Sequence, residues 1–154
     1  MKEAGKGARL PNKLSALLRV AVEDSKKLAR RKGFELDMST WVHMEASGQC
    51  AVCMAGTVMV SRFGVTVTSD EGDVIEPWDL STVRERQMLA IDSMRVGQFA
   101  AAHYSLRLPP LKDGQRSALR SCEQLVTCRE IAFYERADWR TYTKCAGLLE
   151  EVGL

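Results

Sequence analysis

The chain predicts a mainly α fold, α+β at most: about five helices around one core, with one small β element. Three observations carry that expectation. The stretch from Lys13 to about Arg31 repeats apolar or small residues at helical spacing. A run rich in alanine and methionine follows Cys50, with no charge until Arg62. Two stretches near the C-terminus keep helical periodicity around leucines and cysteines. The 154 residues suffice for a single globular domain over 11–154, preceded by a flexible polar arm over 1–10.

The elements follow in order. Pro11 and Asn12 supply a helix start, and Leu14, Leu17, Leu18, Ala21, Val22, Leu28 and Ala29 form one stripe. Arg19, Glu23, Lys26, Lys27 and Arg30 fall opposite it, with Glu23 and Lys27 as an i,i+4 pair, and Gly33 is placed as the C-cap. Phe34–Met44 is mixed and reads as a loop with at most a short extended segment. Ala46-Ser47-Gly48 is a turn. The length and alanines of Cys50–Ser61 favour a buried central helix, closed by Gly64. Val65–Thr68 alternates like a short strand. Thr82-Val-Arg-Glu85 fits a capping box that opens a helix ending at Gly97. Phe99–Tyr104 adds a helical turn or two, and Pro109-Pro110 breaks the chain. Ser117–Tyr134 and Asp138–Val152 supply the last two helices.

Charge is unevenly spread. Residues 1–33 hold ten Lys/Arg against three Asp/Glu, a net +7, and the remainder carries −5. Asp70, Glu71, Asp73, Glu76 and Asp79 form an acidic stretch with no base among them. Lys26, Lys27, Arg30 and Arg31 on one side, and Asp70, Glu71 and Asp73 on the other, are therefore the candidate protein-contact surfaces. Arg19, Lys26, Lys27 and Arg30, with Arg31 and Lys32 beyond them, are the candidate phosphate contacts, although no nucleic-acid-binding signature accompanies them.

The chemistry-bearing residues are few. His43 and His103 are the two histidines, and Cys50 and Cys53 form a C-x-x-C pair that begins seven residues past His43. Three sites follow on paper: a redox pair, a zinc site on His43, Cys50 and Cys53, and a nucleophilic Cys50 beside His43 or His103. On a helix Cys50 and Cys53 share a face. Against these, Ala-Val between the cysteines shapes no exposed turn, and Cys122 and Cys128 make a poor second zinc knuckle. Cysteine also packs as a small hydrophobe. Packing is the favoured reading, so the sequence points away from an enzyme and implies no cofactor. Five cysteines, an odd number, without an export signal indicate free thiols in the cytoplasm. No apolar run nears the roughly 20 residues of a membrane span.

Leu10-Pro-Asn-Lys-Leu14-Ser-Ala-Leu-Leu-Arg19, Asp37-Met-Ser-Thr-Trp41-Val-His43 and Cys50-Ala-Val-Cys53-Met-Ala-Gly56-Thr-Val-Met59 carry a resemblance, joined by Ala90-Ile-Asp-Ser-Met-Arg95-Val-Gly97. Over roughly residues 10–100 the chain is similar to a group of small proteins of tailed bacteriophages and prophages. That group has no established activity. The resemblance implies a viral origin and a host-cytoplasmic setting, and it supplies no catalytic residues. The functional expectation is a non-catalytic accessory protein that binds a host or viral protein, for instance as an inhibitor in anti-defence. A Cys/His enzyme or zinc protein, and nucleic-acid binding through the first helix, are the alternatives.

Overall fold

A computed structural model describes residues 9–37, 40–65, 74–77, 80–127 and 139–154. Among them the architecture is mainly α, with six helices and a small four-stranded sheet. Helix α1 (Leu14–Ala29) is the hub and packs against α2 (Met54–Phe63), α3 (Thr82–Arg95) and α6 (Trp139–Glu151). Helices α4 (Phe99–Ser105) and α5 (Asp113–Thr127) complete the helical layer. Leu14, Leu17, Leu18, Ala21, Val22 and Leu28 are buried as the stripe requires, whereas Ala29 faces water.

α1 ends earlier than the charge pattern suggests. Its C-cap is Arg30, and Gly33 instead takes a positive φ of 93° in the turn leading to β1. One polar pair on α1 was not legible from periodicity. Asp24 is only 3% exposed, and Arg62 at the end of α2 bonds both of its oxygens at 2.9 and 3.0 Å. The geometry is bidentate, the form in which a buried ion pair offsets its desolvation best.

The largest departure from expectation lies between residues 34 and 53. What reads as a loop contains β1 (Phe34–Leu36) and β2 (Val42–Met44), and the first three residues assigned to the central helix are β3 (Cys50–Val52). β3 pairs parallel with β1 and antiparallel with β2, and β4 (Val74–Ile75) lies beyond β2, giving the order β1-β3-β2-β4. Gly48, at φ 83°, turns β2 into β3 as the Ala46-Ser47-Gly48 turn predicts. An apolar run of this kind has no periodicity to separate strand from helix. The local hydrogen bonds decide it.

The chain changes from strand to helix at Cys53. Its backbone is extended, its N–H donates to the carbonyl of Trp41 at 3.1 Å, and its sulfur accepts from the Gly56 N–H at 3.3 Å. Cys53 is thus the N-cap of α2. Gly56 in the first turn lies against β2, so closely that a Cβ there falls 1.9 Å from the Trp41 carbonyl oxygen. Gly56 therefore admits the backbone leading into β2. Gly64, at φ 62°, ends α2 as expected.

Other expectations hold with shifted ends. α3 starts from Ser81, whose side chain makes no capping bond, so the Thr82–Glu85 capping box is not formed. α5 begins at Asp113, four residues before the predicted start, and the predicted helix beyond Thr127 lies outside the described residues. So do the 1–8 arm and the 66–68 part of the predicted strand. The C-terminal turn is anchored: the Leu154 carbonyl accepts from the Ser15 N–H at 3.0 Å, and Trp139 Nε1 donates to Ser25 at 2.8 Å.

Two substitutions test this packing. Gly56→Ala drives a methyl into a main-chain carbonyl that cannot yield, and is expected to cost about 3 kcal/mol or more in urea unfolding. Arg62→Ala leaves the buried Asp24 carboxylate without its cation, for an expected loss of about 3 kcal/mol. A loss below about 1 kcal/mol in either variant contradicts the corresponding contact.

Candidate functional site

Strand register decides which of the chemistry-bearing residues meet. Met44 pairs with Cys50, His43 with Ala51, and Phe34 with Cys50 across the parallel ladder. Paired residues share a face and successive residues alternate. Cys50, Met44 and Phe34 therefore look one way, and His43, Ala51 and Glu35 look the other. The imidazole expected beside the Cys50 thiol is on the opposite side of the sheet, where Nδ1 lies 4.0 Å from Glu45. It is the His43 main-chain N–H, not the imidazole, that acts on the Cys50 thiol.

The C-x-x-C pair is also divided. With Cys50–Val52 in a strand and Cys53 extended, the two Cα atoms stand about 10 Å apart. A disulfide requires less than about 7 Å. Their side chains point to opposite faces, so the shared helical face assumed for metal or redox chemistry does not exist. Among the described residues no three His, Cys, Asp or Glu side chains are grouped to hold a metal ion. His103 lies on α4, which packs on α3 and α5, apart from the sheet that holds Cys50. It is 8% exposed, and its Nε2 has no hydrogen-bond partner among the described residues.

Each thiol has its own environment. Burial pushes Cys50 above the ordinary thiol range, opposed by the His43 N–H. Burial also raises Cys53, to about 11, although the Gly56 N–H at the helix start acts in the other direction. Both are protonated at neutral pH, which makes them poor nucleophiles. Cys122 and Cys145 are fully buried between α5 and α6, and Cys128 lies outside the described residues.

Cys50 nevertheless borders open space. A cavity of about 340 Å³ has Phe34, Met44, Cys50, Val60 and Val65 as apolar walls, and Arg31 is the charged residue in its lining. The Arg31 guanidinium lies 5.0 Å from the centre of the Phe34 ring. Arg31 thus belongs both to the cavity and to the cationic end of α1. There Lys27 pairs with Glu23 at 3.6 Å and Lys26 lies 5.9 Å from the Trp139 ring. Arg30, Arg31 and Lys32 are exposed and form no ion pair with a described residue.

Of the predicted contact residues, the four cations are therefore clustered and accessible at least in part, whereas Asp70, Glu71 and Asp73 lie outside the described residues. Arg19 is withdrawn from that surface by a bidentate pair with Glu150 at 2.8 and 2.9 Å. Sequence reasoning missed Phe34, Met44 and Val60 as cavity walls. The pairing of β3 with β1 and β2 places Phe34 and Met44, and that pairing leaves no trace in local composition. No family model, curated protein or solved structure matches the chain.

The Cys53 environment has a consequence for stability. A thiol whose folded pKa stands near 11 against an ordinary value of 9.0 keeps its proton in the fold and loses it on unfolding between those values. The unfolded state then holds fewer protons, so its stabilising contribution is complete below about pH 9 and declines until about pH 11. Two pH units correspond to about 3 kcal/mol. Urea unfolding under reducing conditions should show that alkaline decline in the parent chain. In Cys53→Ser, whose hydroxyl keeps the cap acceptor, the decline should shrink by about that amount. Parallel declines in both proteins would refute the assignment.

Proposed function

We propose that this chain is a non-catalytic binding protein, a host-cytoplasmic accessory factor of phage type that modulates or inhibits a host or viral protein. One observation carries this reading: the apolar cavity shares Arg31 with a cluster of cations, of which Arg30, Arg31 and Lys32 have no carboxylate partner among the described residues. That combination suits a partner segment in which one large apolar side chain is flanked by carboxylates. The side chain fills the cavity as the anchor, and the carboxylates meet the guanidinium groups. Opposite charge steers the encounter and sets the register, and the buried anchor slows release.

The division of His43, Cys50 and Cys53 between two faces of the sheet supports binding over thiol catalysis, because a nucleophile needs its base within hydrogen-bond reach. Phosphates would also be attracted to these cations, but they would make no use of the apolar walls.

The test compares three tagged proteins as bait for bacterial lysate: the parent chain, an Arg30→Glu/Arg31→Glu/Lys32→Glu triple variant, and Val60→Trp, which fills the cavity. Circular dichroism checks that each is folded. A protein retained by the parent and weakened about tenfold or more by both changes supports the reading. Equal retention by all three overturns it. Retention abolished by nuclease treatment assigns the surface to nucleic acid instead.

A further inference from the structure

Cys122 on α5 and Cys145 on α6 are both 0% exposed and face each other across the helix contact. The Cys122 thiol donates to the Cys145 carbonyl at 3.6 Å, and the Cys145 thiol donates to the Cys122 carbonyl at 3.8 Å. Each sulfur therefore lies over the main chain of the other cysteine. Such reciprocity needs the two helix backbones close together at this level, with both Cβ–Sγ arms side by side. That proximity is the first requirement of a disulfide, and the C-x-x-C pair lacks it.

We propose that Cys122 and Cys145 form a redox modification site, closing to an intramolecular disulfide by exchange with a low-molecular-weight disulfide. Either thiol can react first once it is exposed; on one of the two equivalent routes it is Cys122. Its thiolate attacks one sulfur of the small disulfide; that S–S bond breaks, the first small thiolate leaves, and a mixed disulfide remains on Cys122. The Cys145 thiolate then attacks the Cys122 sulfur, the protein S–S bond forms, and the second small thiolate leaves. The protein is oxidised by two electrons, the small disulfide is reduced to two thiols, and the two protons pass from the cysteines to them. Because both sulfurs are buried, the first attack waits on local separation of α5 from α6, so the reaction is slow and limited by opening.

The bond staples α5 to α6, the helix packed on α1. α6 holds Arg19 through Glu150 and places Trp139 beneath Ser25 and Lys26. Oxidation thereby stiffens the scaffold behind the cationic end of α1.

The reduced full-length chain is incubated in buffers of graded oxidised and reduced glutathione, quenched by alkylation, and analysed by non-reducing peptide mapping and thermal melting. The expected result is a peptide joining Cys122 to Cys145, lost on reduction, and a melting temperature raised by roughly 5–10 °C. Cys128→Ser gives the same cross-link. Three results overturn the proposal: both cysteines still alkylated after transient opening in mild urea, arrest at a glutathione adduct, or cross-linking of either to Cys128 or between chains. No outcome requires Cys122 or Cys145 to be replaced.

Discussion

The close approach of the first turn of α2 to the Trp41 carbonyl is the constraint on which the sheet and its surroundings depend. That carbonyl accepts from the Cys53 N–H, and Gly56 leaves it room. Cys53 in turn caps the helix through the Gly56 N–H. A helix cannot continue upstream through this junction, because Cys50, Ala51 and Val52 commit their main-chain groups to β1 and β2. The placement of Cys50 and Cys53 follows. A strand puts residues 50 and 53 on opposite faces, so one sulfur meets the cavity and the other is sealed in the core.

α1 organises the other half of the molecule by a similar allocation of partners. Its apolar stripe takes the core, and its polar face is divided between internal and external contacts. Asp24 and Ser25, polar by type, are buried because Arg62 and Trp139 come to them. Arg19 goes to Glu150, while the cations at the helix end remain toward water. The net +7 of the first 33 residues is thus not one uniform basic arm. Arg19 ties α1 to α6, and Lys26, Lys27, Arg30, Arg31 and Lys32 sit at the negative end of the helix dipole, where positive charge is favoured.

Sequence made the long helices legible because their burial is one-sided. A face against the core and a face against water imprint a period, and α1 and α6 carry it clearly. Glycines at forced backbone positions were legible for a similar reason: Gly48, Gly64 and Gly97 all take positive φ. The sheet was not. Its strands have two or three residues each, too few for alternation to register. β3 is buried along its whole length, so its pattern matches that of a core helix. The candidate site inherits this asymmetry. Arg31 and Cys50 stand out by type, but the non-local β1–β3 pairing is what brings Phe34 beside Cys50.

The cysteines show why a motif must be read through its backbone before its chemistry. Cys50 and Cys53 have motif spacing and cannot react together, since an extended chain separates them and turns them apart. Cys122 and Cys145, separated by 22 residues and part of no motif, are the pair in which each sulfur reaches the other's main chain. Sequence distance measures proximity only when the local conformation is known. For a spacing of three, a change from helix to strand turns neighbours on one face into residues on opposite faces. Spatial pairing between α5 and α6 depends instead on two independent amphipathic faces converging, each placing its cysteine on the buried line. Thiol chemistry in this fold therefore belongs to helix packing, and the cavity beside Cys50 belongs to recognition.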